Sequence, residues 1–205
     1  MQQDSAIIKA RYDRIAPYFD VLESLMERVF MAQLRHQIWR KVTGATILEA
    51  GVGTGKNFLY YAGRESITAI DFSEKMLARA ARKRDKLQLR IDLQIMDVQA
   101  LNFPDNSFDT VIATFLFCSV PDPAQGLKEL HRVCKPGGQV LLLEHVLSEK
   151  PWLAALMNWL NPLIVRLFGA NINRRTVSTV ESIGFQSVHV DTVSGGIVKL
   201  IEAKK

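Results

Sequence analysis

Three glycines and two carboxylates form the most chemically specific pattern in this 205-residue chain. Residues 46–57 read T-I-L-E-A-G-V-G-T-G-K-N, which places glycine at every second position, at Gly51, Gly53 and Gly55. Glycine adopts positive φ and has no Cβ, so such a run allows a sharp turn and a close approach to a ligand. A helix that follows the turn directs its free N–H groups to the same place. The pattern therefore predicts a ligand-binding turn.

The two carboxylates narrow the choice of ligand. Glu49 stands two residues before Gly51, and Asp71 ends a strand-like run at 67–71. A carboxylate about 20 residues beyond the glycines is placed to accept hydrogen bonds from ribose hydroxyls. An acid directly before the turn suits a positively charged ligand better than a pyrophosphate. We expect a nucleoside-containing cofactor, and the alternatives are a dinucleotide site or a glycine turn without a ligand.

The run E-A-G-V-G-T-G resembles the first motif, E/D-x-G-x-G-x-G, of the class I S-adenosylmethionine-dependent methyltransferases. D-F-S at the end of the second predicted strand, D-V after the third and P-G-G before the fifth match the same family in the same order. The resemblance implies S-adenosylmethionine as the cofactor. It also implies that the following residues bind it: Glu49, Gly51, Gly53, Gly55, Asn57, Asp71, Phe72, Ser73, Met76, Asp97, Val98 and Thr114.

Strand-like and helical segments alternate along the chain from residue 46 onward, which predicts an α/β fold. The predicted strands are 47–50, 67–71, 93–96, 110–115, 139–144, 187–193 and 198–202, and the predicted helices are 56–62, one starting at Ser73, 124–133 and 174–183. With the resemblance, we expect a Rossmann-like, seven-stranded, mostly parallel sheet with an antiparallel last strand, helices on both faces and an N-terminal helical cover. We expect a single domain at 1–205, divided into a lid (1–45), a cofactor-binding half (46–145) and acceptor-side helices with a C-terminal hairpin (146–205).

The N-terminal region is predicted to be helical over 5–41, with a break near Pro17. Apolar residues recur at helical spacing over 21–39, which indicates an amphipathic cover or an interfacial helix. Residues 10–20 contain Tyr12 and Tyr18 on either side of the proline. Such an aromatic segment is able to close over a ligand and exclude water, as lids do. The alternative is a helix that packs on the core.

Methyl transfer from a sulfonium depends mainly on in-line positioning and a dry site. An amine acceptor has a pKa near ~10 by analogy with lysine, so it must lose a proton before it attacks. The candidate catalytic residues are Tyr12, Tyr18 and His145, and His145 is equally consistent with a structural role. The sequence predicts no metal site. Cys118 and Cys134 have neither zinc nor redox spacing, which favours buried thiols.

The segment 151–170 is strongly apolar but contains Asn158, Asn161, Pro162 and Arg166, so it is a poor candidate for a membrane span. Its two tryptophans, seven residues apart, suit the headgroup region of a bilayer or the wall of a pocket. Two arginines near residue 174 suit a phosphate or a solvated helix start. The candidate substrate-binding residues are Tyr12, Tyr18, Trp152, Arg174 and Arg175.

The runs Y-D-R-I-A-P-Y-F-D, C-S-V-P-D-P and N-R-R-T, with the motifs above, resemble small bacterial phosphatidylethanolamine N-methyltransferases and related quinone and thiol methyltransferases. The resemblance implies a lipid amine as acceptor. The fifth predicted strand ends in E-H, whereas some phospholipid methyltransferases carry N-H there, so a quinone, a thiol or another small apolar acceptor stays open.

The chain carries a net charge of +5, with seven Lys and Arg residues over 75–90. This cluster indicates either a solvated helix face or attraction to an anionic surface. We expect a lipid or small apolar acceptor, peripheral contact with an anionic membrane surface and no nucleic-acid partner. The expected location is the cytoplasm, at the inner membrane face. A cofactor- or nucleic-acid-binding module without turnover is the alternative from another class.

Overall fold

The sheet confirms the predicted α/β architecture in a computed structural model that describes residues 8, 10–14, 31–61, 63 and 66–205. Seven strands form one sheet in the order β3-β2-β1-β4-β5-β7-β6. The strands are β1 (Thr46–Ala50), β2 (Ser66–Asp71), β3 (Ile91–Ile95), β4 (Phe108–Thr114), β5 (Cys134–His145), β6 (Ser187–Ser194) and β7 (Val198–Lys204). Neighbours among β1 to β5 pair in parallel, whereas β7 is antiparallel to both β5 and β6. The last strand is therefore the antiparallel one, as predicted.

Helices cover both faces of this sheet. They are α1 (Ala32–Trp39), a 3-10 helix (Lys56–Tyr60), α2 (Glu74–Lys86), α3 (Pro123–Val133), α4 (Pro151–Phe168) and α5 (Thr176–Glu181). Because side chains alternate across a strand, β1 places Leu48 in one buried cluster and Ile47 in the other. β4 likewise places Val111 in the first cluster and Ile112 in the second. The sheet thus has a core on each face.

Two helix starts are fixed by side-chain caps. Ser73 precedes α2, and its Oγ accepts a hydrogen bond from the Met76 N–H at 3.2 Å, which confirms the predicted start. Asp122 caps α3 by accepting from the Gln125 N–H at 3.0 Å. Because α2 starts directly after β2, the residues between them are held at the carboxyl edge of the sheet.

The helix predicted at 56–62 is wrong in type and length. The structure has a single 3-10 turn, Lys56–Tyr60, which starts after Gly55 in the left-handed conformation (φ 77°). Asn57 and Phe58 are buried beneath this turn. Tertiary packing of these two side chains holds the tight turn, and sequence periodicity does not report such packing.

The N-terminal cover is described only in part. Leu34, Ile38 and Trp39 of α1 are buried in the second core cluster, so this end of the predicted amphipathic helix packs on the sheet. Residues 15–30, which include Tyr18 and the predicted break at Pro17, lie outside the described residues.

Two further segments bear on the predictions. The apolar segment forms a continuous 18-residue helix, α4, with Pro162 inside it. None of the described helices combines the length and the apolar character that a membrane crossing requires. Cys118 and Cys134 are buried and unlinked, as expected, and burial raises the pKa of the Cys118 thiol to about 12.

Candidate cofactor and acceptor site

A cleft with about 380 Å³ of open space lies at the carboxyl ends of the parallel strands. This is the edge at which open α/β sheets bind their ligands. Five of the predicted cofactor residues line it: Gly51, Asp71, Phe72, Asp97 and Val98. The other lining residues are Ile70, Met96, Gln99, Leu116, Ser119, Val120 and Pro121. The structure therefore brings the glycine turn and the ends of three strands together around one space.

Asp71 connects the glycine turn to the start of α2. One carboxylate oxygen accepts from the Gly53 N–H at 2.9 Å, and the other accepts from the Ser73 N–H at 2.9 Å. Burial raises the pKa of Asp71 to about 6, although the backbone N–H groups favour the charged form. The carboxylate is therefore ionised at neutral pH and lines the cleft, where it is placed to accept hydrogen bonds from ribose hydroxyls.

The three glycines of the turn are needed for different reasons. All three have positive φ. A Cβ on Gly51 would lie 2.7 Å from the Leu116 side chain, and one on Gly55 would lie 2.6 Å from the Phe58 ring. A Cβ on Gly53 would meet no described atom within 4 Å. Packing thus explains Gly51 and Gly55, whereas Gly53 faces open space and donates its N–H to Asp71.

Asp97 supplies an acceptor on another wall of the cleft. Its two carboxylate oxygens each accept from the Gln99 side-chain amide at 3.0 Å, and the Gln99 N–H donates to one of them at 2.9 Å. The Gln99 side-chain oxygen in turn accepts from the Asp122 N–H at 2.9 Å. The α3 cap therefore fixes the orientation of Asp97. Two acceptors on the walls and bare glycine backbone between them fit an adenosine moiety.

Ser73 and Met76 were also predicted to bind the cofactor, but both are fully buried and neither lines the cleft. They support the α2 start that holds Asp71 and Phe72. Their contribution in this structure is to position the cleft residues.

Glu49, Asn57 and Thr114 form a buried hydrogen-bond network behind the glycine turn. Glu49 accepts from the Asn57 amide at 2.7 Å and from the Tyr61 hydroxyl. Asn57 also donates to Thr114 Oγ1 at 3.0 Å. Burial raises the pKa of Glu49 to about 8, against the opposing effects of Asn57 and Arg35. A cation brought near Glu49 would favour its ionised form.

Arg35 joins this network from α1, and sequence reasoning missed it. Its guanidinium donates to Thr114 Oγ1 at 2.7 Å and to Asn57 Oδ1 at 3.2 Å. The sequence did indicate that Arg35 is buried. Ile38 and Trp39 lie three and four residues after it, which places all three side chains on one face of the helix. A basic residue on an apolar helix face is often paired inside the protein.

A second buried glutamate contacts the backbone of Leu116, a cleft residue. Glu144 accepts from the Leu116 N–H at 2.9 Å and the Phe117 N–H at 3.2 Å through one oxygen. Within the described part of the chain, its other oxygen has no hydrogen-bond partner. Burial raises the pKa of Glu144 to about 8. His145 follows it and packs on the Phe115 ring at a centroid distance of 4.9 Å, with the rings tilted by 36°, and burial lowers its pKa.

Tyr12 lies at the rim of the cleft. Its hydroxyl donates to Ser119 Oγ at 3.0 Å, and its ring meets the edge of Phe72 at a centroid distance of 6.0 Å. The neighbouring Asp13 accepts from Ser73 Oγ at 2.6 Å. These contacts place one of the two predicted tyrosines beside the cleft.

The remaining predicted substrate residues are in three different environments. Arg174 is half-buried and donates to the carbonyl of Val120, a cleft residue, at 2.7 Å. Arg175 is exposed at the start of α5. Trp152 is exposed on α4. The structure thus brings Arg174 to the cleft and leaves the other two side chains on the surface.

Comparisons with known proteins identify the family to which the chain is similar. Residues 48–142 match the family model described as a methyltransferase domain. A phosphatidylethanolamine N-methyltransferase from Cereibacter sphaeroides is 44% identical over 115 residues, which cover 55% of this chain and 57% of that protein. The chain therefore spans little more than half the length of this relative.

A ubiquinone/menaquinone biosynthesis C-methyltransferase from Bdellovibrio bacteriovorus is 30% identical over 174 residues, which cover 80% of this chain and 72% of that protein. Among solved structures, a SAM-dependent methyltransferase from Thermotoga maritima has a TM-score of 0.71 at 20% identity, with 96% of this chain and 99% of that chain covered. That structural likeness concerns the fold.

Proposed function

Because this chain belongs to the class I S-adenosylmethionine-dependent methyltransferases, we propose that it methylates the amine of phosphatidylethanolamine and of its partly methylated forms, toward phosphatidylcholine. The observation that carries the proposal is the 44% identity to a phosphatidylethanolamine N-methyltransferase. The similar stretch covers about half of the chain. The methyltransferase family is therefore established, and the identity of the acceptor is what we propose.

The chain contributes positioning and exclusion of water. S-adenosylmethionine supplies an electrophilic methyl group on a sulfonium. Asp71, Asp97 and the bare backbone at Gly53 are placed to hold its adenosine part. Glu49 and its buried network lie behind the turn, and a sulfonium charge near Glu49 would favour the ionised form of this carboxyl group, whose pKa burial raises to about 8. Holding both reactants in line accounts for most of the expected acceleration.

An amine acceptor also has to lose its proton. Tyr12 lies at the cleft rim with its hydroxyl on Ser119. Burial lowers the pKa of His145, so its imidazole is neutral at pH 7 and able to accept a proton. We assign proton removal to these two residues, and Tyr18 stays a prediction outside the described residues. Arg174, beside Val120, is the proposed contact for the lipid phosphate.

A quinone is the second candidate acceptor. The C-methyltransferase from Bdellovibrio bacteriovorus aligns with a larger share of this chain than the phospholipid enzyme does. Carbon methylation of a quinone ring would use the same cofactor cleft, with an apolar ring in place of the headgroup.

The test is an acceptor comparison with radiolabelled S-adenosylmethionine. Vesicles that contain phosphatidylethanolamine and vesicles that contain demethylmenaquinone are incubated separately with the protein. Label in monomethyl-, dimethyl- and trimethyl-ethanolamine lipids supports the proposal, and label in the quinone alone overturns it. Cofactor binding without label in either acceptor would favour the non-catalytic binding module.

A further inference from the structure

One face of α4 is apolar and exposed along its whole length. The five residues are Trp152, Leu156, Trp159, Leu163 and Leu167, and each is 43–75% exposed. They are spaced by three or four residues, which aligns them on one side of a helix. Met157, on the opposite side, is buried against the body of the protein. Contiguous apolar surfaces of this kind mark sites of interaction.

The charges of α4 identify the kind of partner. Arg166 is the only ionisable residue between 151 and 168, and it is exposed. Lys150, also exposed, precedes the first turn. The helix therefore has a positive charge near each end and no acidic residue. Tryptophan and leucine on one face with flanking basic residues suit the interface of an anionic bilayer.

The same helix is attached to the wall of the cofactor cleft. Asn161 accepts from the Ile172 N–H at 2.9 Å and donates to Asn171 at 3.2 Å. Asn171 donates to the Cys118 carbonyl at 2.7 Å through its backbone. Cys118 adjoins Ser119, a cleft residue. A short chain of hydrogen bonds thus connects α4 to the cleft.

The N-terminal segment makes a second connection. Arg11 donates to the Val165 carbonyl of α4 at 2.9 Å, and the adjacent Tyr12 donates to Ser119. The carboxyl end of α4 therefore lies beside the cleft rim. A surface that contacts this end of α4 is therefore close to the cleft rim.

We propose that the exposed face of α4 docks on an anionic phospholipid bilayer, with Trp152 and Trp159 at the level of the headgroups. The docking rests on α4 itself. Its role in delivering the acceptor rests on the proposed function, because only a lipid acceptor needs to enter from a membrane. The bound face would hold the cleft rim close to the headgroups.

The first test measures binding to vesicles. Wild-type protein is sedimented with sucrose-loaded vesicles of phosphatidylethanolamine and phosphatidylglycerol, and separately with vesicles of phosphatidylcholine. We expect binding to the anionic vesicles that weakens at high salt. The variant Trp159→Gln/Leu163→Gln is expected to bind about tenfold or more weakly, because both exposed side chains leave the interface. Leu87→Gln, a change at a half-exposed leucine after α2, is the control and should bind like wild type.

The second test separates docking from catalysis. We expect the double variant to lose methyl transfer to vesicle-bound phosphatidylethanolamine but to keep it on a short-chain, monomeric phosphatidylethanolamine. If wild-type protein binds the vesicles but methylates neither form, the proposed function fails and the docking stands. If wild type does not bind the vesicles, or the double variant binds them equally well, the docking is wrong.

A third measurement tests whether a second copy of the chain, rather than a bilayer, covers the α4 face. Size-exclusion chromatography with light scattering compares wild type and the double variant without lipid. If wild type is a dimer that the double variant dissociates, and vesicle binding is unchanged, the α4 face joins two copies of the chain and the docking is overturned. A monomer in both cases supports it.

Discussion

At the scale of single residues, Asp71 has two tasks that depend on the same carboxylate. Its carboxylate accepts from two backbone N–H groups, which shapes the glycine turn, and it also lines the cleft. Both tasks require the ionised form, whereas burial opposes ionisation. Substitutions and pH should therefore affect the turn and the ligand together.

Replacing Asp71 with Asn should weaken binding of S-adenosylhomocysteine by about 10- to 100-fold, since hydrogen bonds to a charged group are worth roughly 1.5–3 kcal/mol. Isothermal titration calorimetry measures the affinity, and circular dichroism checks that the variant is folded. Asp92→Asn, at an exposed position on β3, should bind like wild type. Equal affinities of Asp71→Asn and wild type would remove Asp71 from the site.

The pH dependence of binding should follow the same residue. The pKa of Asp71 is about 6, so its carboxyl group takes up a proton as the pH falls through that value. The neutral form is a poorer acceptor for ribose hydroxyls, so affinity should fall by up to about tenfold per pH unit below pH ~6. Titrations from pH 5 to 8 measure this. A flat profile in wild type, or an equally steep one in Asp71→Asn, would contradict the assignment.

Glu144 should make stability depend on pH. Its pKa is raised from 4.5 to about 8, so the folded protein holds a proton that the unfolded chain releases between those values. Its contribution to stability is therefore lost as the pH rises toward 8. Glu144→Gln stays neutral at every pH, so its stability relative to wild type should rise from pH 6 to pH 9. Each ~1 kcal/mol of that rise corresponds to roughly 2–4 °C in Tm.

Thermal unfolding at several pH values measures that gain. Glu181→Gln, at an exposed position on α5, is the control and should differ from wild type equally at every pH. A Tm difference between Glu144→Gln and wild type that does not grow with pH would show that Glu144 does not cause the pH dependence of stability.

At the scale of elements, the glycine turn combines backbone strain with ligand space. Gly53 and Gly195 both have φ +55°, and a Cβ on either would meet no described atom within 4 Å. Gly195 lies in the turn between β6 and β7, whereas the Gly53 N–H contacts Asp71, a cleft residue. The two glycines thus form a matched pair of which only Gly53 adjoins the proposed cofactor site.

Gly53→Ala and Gly195→Ala should lose similar stability, about 1–2 kcal/mol each, because both force alanine into the left-handed region. Only Gly53→Ala should weaken binding of S-adenosylhomocysteine, since its methyl group occupies the space left for the ligand. Thermal unfolding and calorimetry on both variants measure the two effects. Equal affinities would mean that the space above Gly53 is not used.

The comparison with the sequence shows which elements local patterns specify. The cap at Ser73 and the strand that ends at Asp71 depend on neighbouring residues, and both were predicted. β5 (Cys134–His145) is longer than the predicted 139–144 because its first residues form hydrogen bonds with residues far away in the sequence. One of these bonds joins the Gly137 N–H to the Lys205 carbonyl at 2.7 Å. Glu144 was missed for the same reason, since only the folded chain brings it to the backbone of Leu116 and Phe117.

At the scale of the whole molecule, the cleft is lined by residues at or just beyond the carboxyl ends of β1 to β4. A ligand that binds there and not to the unfolded chain should stabilise the fold as a unit. At 100 times its Kd, S-adenosylhomocysteine should add about 2.7 kcal/mol, or roughly 5–11 °C in Tm. Differential scanning calorimetry measures the shift. Failure of Tm to rise with ligand concentration would contradict a site built into the native fold.

The position of β7 has a consequence for biosynthesis. β7 follows β6 in the chain, yet it lies inside the sheet between β5 and β6. During translation, β5 keeps an unpaired hydrogen-bonding edge until β7 has left the ribosome, and such edges invite pairing with other chains. The nascent polypeptide is therefore vulnerable to aggregation until β7 pairs with β5, although most of the cofactor cleft has already been made.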